Sequence, residues 1–329
     1  MERWIGILKV PLNPNSRTYY RVGASLCLSI SSKTLTVPSA NAIFFNGDRV
    51  QWTGNKVIER LSDLQKIAEI LVSKFGSSVN AWVIEASDFN GPFAVYKDFV
   101  PSVNSRGEPE SYSPAGFPAS TATVFLLSNC FKEAKRIISR REREPFAASS
   151  SESCFDQLKT IIVGFSKGGT VLNQLVSELG FTEANSARSA DNIKEQSMNR
   201  ESSTIQEETR IIPRTKENLL NSIAEIHYVD VGLNSAGAYI NDRNVIERIS
   251  KRLAEESRVI RFMLHGTPRQ WCDSRRVRIR NEKEKLVNLL KSEARKNGGS
   301  LQVCERFYFA DRPPDMQMHF EIIESMDVS

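Results

Sequence analysis

The sequence predicts an α/β fold, a mostly parallel sheet with helices on both faces and polar loop insertions. Short apolar runs alternate with stretches of helical periodicity, the pattern of strands joined by crossover helices. One run passes straight into an amphipathic stretch through a glycine-rich junction, Thr160-Ile-Ile-Val-Gly-Phe-Ser-Lys-Gly-Gly169. With 40% hydrophobic and 25% charged residues over 329 positions, the chain has the balance of a folded globular protein.

Residues 1–38 read as an N-terminal extension holding a strand or two. Arg3, Lys9, Arg17, Arg21 and Lys33 lie in it, with no acid between Glu2 and Asp48, so it resembles an organelle transit peptide. From residue 39 to 329 a single domain is expected. Ala42-Ile-Phe-Phe45 is a strand closed by the turn Asn46-Gly47-Asp48. Ser62 and Gln65 have capping-box spacing, Leu64, Ile67, Ala68 and Leu71 share one helix face, and Gly76 is the stop. A strand at 81–84, a Pro-, Gly- and Ser-rich loop at 101–118 and a helix at 121–141 follow.

Residues 147–153 form a second polar break before the strand 160–163. The helix beyond, 169–179, places Val171, Leu172, Leu175, Val176 and Leu179 on one face. Residues 185–209, nearly bare of large apolar groups, read as a flexible insertion. Three more strands are expected at 223–230, 259–264 and 301–309, with helices near 245–254 and 282–296 between them.

Several function classes drop out. Lysine and arginine number 44 against 39 acids, a net +5 that permits an acidic partner without implying one. No run approaches the roughly 18 apolar residues of a transmembrane segment. Cys27, Cys130, Cys154, Cys272 and Cys304 are odd in number and contain no C-x-x-C pair, which argues against a zinc or dithiol site. No cofactor or metal is called for, and a reduced intracellular compartment fits. The basic runs at 132–143 and 275–280 read as solvated faces, the second also suited to a phosphate or anionic lipid head group. Neither carries interleaved aromatics, so nucleic acid is not an expected partner.

The chemistry concentrates in Gly164-Phe-Ser166-Lys-Gly168. A G-x-S-x-G between a strand and a helix is the setting of a nucleophile elbow in α/β-hydrolases, where glycines let strand and helix approach around a strained serine. A phosphate loop is the competing reading, but Thr170 directly follows Gly169 where that motif requires lysine.

A serine nucleophile needs a base. His227 lies within a strand and reads as packed; His265 opens a His-Gly-Thr-Pro turn and reads as structural. His319 follows the last expected strand by one loop and fits the order serine, acid, histidine. Asp273, in the loop after the strand ending near residue 264, is the preferred acid, and Asp230, ending the preceding strand, is the alternative. The oxyanion hole would draw N–H groups from Lys167 and from Gly47 or Asp48. The Lys167 side chain reads as solvent-exposed, with attraction of anionic substrates as its functional alternative.

Phe44-Phe-Asn-Gly-Asp48, Val163-Gly-Phe-Ser-Lys-Gly168 with Val171-Leu-Asn-Gln-Leu175, His265-Gly-Thr-Pro268 through Asp273, and His319-Phe320 together resemble a eukaryotic family named after an open reading frame on human chromosome two. The resemblance runs from about residue 39 to the C-terminus and suggests a plant-like member. It implies an α/β-hydrolase-like fold, a serine hydrolase and, for animal members, mitochondrial residence; Ser166, Asp273 and His319 fall on matching positions. Val231-Gly232-Leu233 departs from the Gly-Gly-His that the family places after Asp230. The expectation is an intracellular serine hydrolase, mitochondrial or cytoplasmic, acting on an ester or thioester of an acyl-containing small molecule or lipid. A catalytically silent hydrolase fold with a protein partner is the alternative.

Overall fold

The computed structural model describes residues 2–13, 18–50, 52–139, 158–182 and 210–329. The polar break at 147–153, the insertion at 185–209 and residues 140–143 of the first basic run lie outside the described residues.

Among the described residues, eight strands form the central sheet: β1 (Glu2–Pro11), β2 (Tyr19–Leu28), β3 (Ala40–Asn46), β4 (Val79–Glu85), β5 (Lys159–Phe165), β6 (Ile223–Val229), β7 (Ile260–Gly266) and β8 (Leu301–Phe307). Their order is β1-β2-β4-β3-β5-β6-β7-β8. Only β2 runs against the rest, pairing antiparallel with both β1 and β4. The segment set apart as an N-terminal extension is therefore built into the sheet. Along β3 the two inner faces alternate: Ile43 and Phe45 join one core, Ala42 and Phe44 the other. Such two-sided burial explains why the central strands read as continuous apolar runs.

Helices α1 (Lys56–Leu61), α2 (Leu64–Phe75) and α9 (Met316–Ser325) cover one face. The other is covered by α3 (Pro118–Ser139), α4 (Gly169–Leu179), α6 (Arg243–Glu255) and α8 (Val277–Lys296). Short helices α5 (Lys216–Ser222) and α7 (Pro268–Trp271) precede β6 and follow β7. Among the described residues, no helix is long and apolar enough to cross a membrane.

The expected capping box is corrected in one respect. Asp63, not Ser62, caps α2 by accepting from Lys66 N at 2.8 Å, while Ser62 ends α1. Aspartate is the better acceptor for an unsatisfied helix N–H, and it lies one residue closer to the apolar stripe. Helix α3 has its cap supplied from a distance. The buried Glu178 carboxylate, on α4, accepts from Ala119 N (2.7 Å) and Ser120 N (2.9 Å). A negative charge at a helix N-terminus is favourable, and here it ties α3 to the helix that follows Ser166.

Candidate active site

Strands β3 and β5 are parallel neighbours, with Phe45 opposite Gly164. The strand order reverses here, since the chain passes from β3 to β4 on one side and to β5 on the other. The loops leaving their carboxyl ends flank a crevice, the usual ligand position in an open α/β sheet. One loop is Gly47–Asp48 and the other begins with Ser166.

Ser166 has φ +51°, a left-handed conformation that costs a serine of order 1 kcal/mol or more. The sharp turn from β5 into α4 requires it, and three glycines make the turn possible. A Cβ at Gly164 would lie 2.6 Å from Leu172 Cδ1, and one at Gly168 would lie 1.9 Å from Phe45 O. A Cβ at Gly47 would lie 2.2 Å from Phe165 O and 2.3 Å from Lys167 N. The Gly47 turn is thus pressed against the peptide following Ser166. Tyr96 OH, 2.7 Å from Asn46 O, and Ala94 N, donating to Gly47 O at 2.9 Å, hold that turn from behind.

His319 stands in the first turn of α9, whose N-cap Asp315 accepts from Met318 N at 2.6 Å. The Phe165 ring packs on its imidazole at 4.6 Å between centroids. His319 Nδ1 is 2.6 Å from Asp230 Oδ2. Asp230 directly follows β6 and is fully buried; its two oxygens also accept from Thr267 N (2.8 Å) and Thr267 Oγ1 (3.1 Å). His319 Nε2 is 2.9 Å from Asp48 Oδ2, while Asp48 Oδ1 is buried without a hydrogen-bond partner among the described residues. Burial alone would lower the His319 pKa. Hydrogen bonds and charge from Asp230 and Asp48 outweigh it and raise the value to about 9.

The structure does not bring Asp273 to His319. Asp273 caps the helical turn at 274–276, accepting from Arg275 N at 2.9 Å and pairing with the Arg275 guanidinium at 3.0 Å. Local hydrogen bonding to the next residues satisfies it, whereas Asp230 reaches across from the neighbouring strand. Lys167 also differs from expectation: its side chain is buried, 2.6 Å from Glu108 Oε1, with its ammonium 5.1 Å from the Phe93 ring centre. Glu108 comes from the long loop before α3, a pairing across 59 positions that no local pattern announces.

His227 and His265 sit elsewhere, as buried neighbours with ring nitrogens 3.1 Å apart. Their other nitrogens meet Glu225 (2.9 Å) and Tyr308 OH (3.0 Å). Burial lowers both pKa values, so they are neutral structural groups.

Ser166, His319, Asp48, Phe93, Arg269 and Arg276 line one cleft of about 70 Å³. The Asp48 carboxylate and Arg269 are the members that sequence reasoning misses: Asp48 is expected to act through its N–H, and Arg269 follows a strand end whose place beside β6 is set by the sheet. Arg276 belongs to the basic run 275–280, whose phosphate-binding alternative the sequence suggests without placing it in this cleft.

Strand order, a serine at a strained strand-to-helix turn, and a histidine–aspartate pair over the same sheet edge define a protein of the α/β-hydrolase fold class. Within that class the chain belongs to the C2orf69 family, whose sequence pattern matches residues 119–295. Mitochondrial protein C2orf69 of Homo sapiens is 24% identical over 296 residues, covering 79% of this chain and 66% of that protein. The chain thus spans slightly under two thirds of its relative's length.

Similar solved structures include an S-formylglutathione hydrolase from Agrobacterium tumefaciens, with 9% identity and a TM-score of 0.42 over 98% of this chain and 92% of that one. Siderophore hydrolase EstA from Aspergillus nidulans gives 13% identity and a TM-score of 0.44 over 96% and 91%. The fold assignment stands on the strand order and not on these likenesses.

Proposed function

We propose that this chain is a mitochondrial serine hydrolase acting on an ester or thioester. The observation that carries the reading is Ser166, held at φ +51° in the same cleft as His319, whose Nδ1 is fixed by Asp230. Ser166 Oγ attacks the acyl carbonyl and passes its proton to His319 Nε2. Asp230 sets the imidazole tautomer and stabilises the imidazolium. The developing oxyanion takes N–H groups from Lys167 and from the Gly47–Asp48 turn, which the glycine contacts bring side by side. His319 then protonates the leaving group, and water hydrolyses the acyl-enzyme by the same relay. Asp48 must release Nε2 for this cycle to run. The mitochondrial assignment follows the human relative's name.

The position of Asp48 also favours a second reading, in which the fold is catalytically silent and serves a protein partner. A histidine bonded on both nitrogens by carboxylates is protonated near neutral pH and takes no further proton. Labelling of the purified protein by a fluorophosphonate probe separates the two. The hydrolase reading expects labelling that vanishes in Ser166→Ala and His319→Ala. A folded wild-type protein that never labels, at any pH between 6 and 10, supports the silent reading.

A further inference from the structure

Among the described residues, two arginines of the cleft have no carboxylate partner. Arg269, in α7, and Arg276, just before α8, line it together with Ser166 and His319. Asp230 is committed to His319 and Thr267, Asp273 to Arg275, and Asp48, which lines the same cleft, to His319 through Oδ2. Arg269 Nε is buried with no hydrogen-bond partner among the described residues. Arg276 Nη1 donates to Gln270 Oε1 at 2.9 Å. Gln270 is itself buried against Gly232, where a Cβ would come within 2.4 Å of that oxygen, so the guanidinium is held by a rigid support. Burial, and then the charge of Arg269, pushes the Arg276 guanidinium below its ordinary value. Two guanidiniums remain charged at any physiological pH, and holding both half-buried within reach of one another costs free energy that an anion between them would offset. Their planar donor forks suit carboxylate or phosphate oxygens.

We propose that Arg269 and Arg276 form an anion subsite of the Ser166 cleft, and that the acyl ester or thioester processed there carries a carboxylate or phosphate group. Calling the anion a substrate group rests on the hydrolase reading; the subsite itself does not.

The test is calorimetric titration of the full chain with phenyl phosphate, phenylacetate and the neutral benzyl alcohol. At least one anion is expected to bind tenfold or more tightly than the alcohol, in wild type and in Ser166→Ala alike. Which anion does so distinguishes the phosphate source from the carboxylate. That preference should fall at least tenfold in Arg269→Gln and Arg276→Gln and persist in Arg275→Gln, whose guanidinium is paired outside the cleft. If the glutamine variants fail to fold, Arg269→Lys and Arg276→Lys keep the charge, lose the fork, and should weaken binding severalfold. A wild type that binds neither anion better than the alcohol overturns the proposal, as does an equal loss in Arg275→Gln. Anion binding without fluorophosphonate labelling supports the subsite and overturns only the hydrolase reading.

Discussion

Asp48 Oδ2 lies 2.9 Å from Nε2 of His319, the nitrogen that a serine nucleophile would need. Asp230 holds the opposite nitrogen at 2.6 Å, so the imidazole is clamped between two carboxylates. With a pKa of about 9, only about one His319 in a hundred is neutral at pH 7. Fluorophosphonate labelling of Ser166 should therefore rise as pH increases from 7 through 9. Asp48→Asn removes one of the two carboxylates that raise the value, so its labelling at pH 7 should exceed wild type by about tenfold. A flat pH profile, unchanged in Asp48→Asn, would show that His319 is not the limiting base.

The two candidate acids give opposite expectations. Asp230→Asn frees His319 Nδ1 to adopt the wrong tautomer and should lower the labelling rate by roughly 10⁴-fold, the scale seen when a triad acid is amidated. Asp273→Asn touches only the cap and the Arg275 pair, and its rate should stay within about twofold of wild type. Comparable losses in the two variants would return Asp273 to the site.

Ser166 stores backbone strain that glycine would not. Ser166→Gly should melt higher than Ser166→Ala, with about 1 kcal/mol between them in urea unfolding, because only alanine keeps the unfavourable Cβ at φ +51°. Equal stabilities would mean that the turn relaxes in solution.

The histidine clamp links stability to pH. The folded-state pKa of His319 lies above its unfolded value, 9 against 6.5, so its contribution is complete below about pH 6.5 and is lost as pH rises towards 9. The full contribution is about 3 kcal/mol for a fully buried group. Urea unfolding of wild type should accordingly weaken between pH 6.5 and 9.5 by more than that of His319→Gln. Parallel losses in the two proteins would place the linkage elsewhere.

Helix α4 spans Gly169–Leu179, the bounds its apolar stripe predicts, and β3 through β8 lie over the runs read as strands. Both signals are local: side chains of one element share a face, so period and capping are visible in the order of residues. The junction at Ser166 is legible because Gly164 and Gly168 stand two residues either side of the serine, although the contact that requires Gly168 is made with Phe45, on another strand. Strands β1 and β2 gave a weaker signal; β2 is held by pairing with β4 more than fifty positions away, and β1 has an exposed side. The choice between Asp230 and Asp273 was not local either. Each is a lone carboxylate in a loop after a strand, and the sheet decides which of those loops meets α9. Likewise Asp48 on His319, Glu108 on Lys167 and Glu178 on α3 are pairings of charge across long separations. Sequence by itself determined where elements and their strained turns form; tertiary packing alone decided which buried charges face one another, because a charge finds its partner through space and not along the chain.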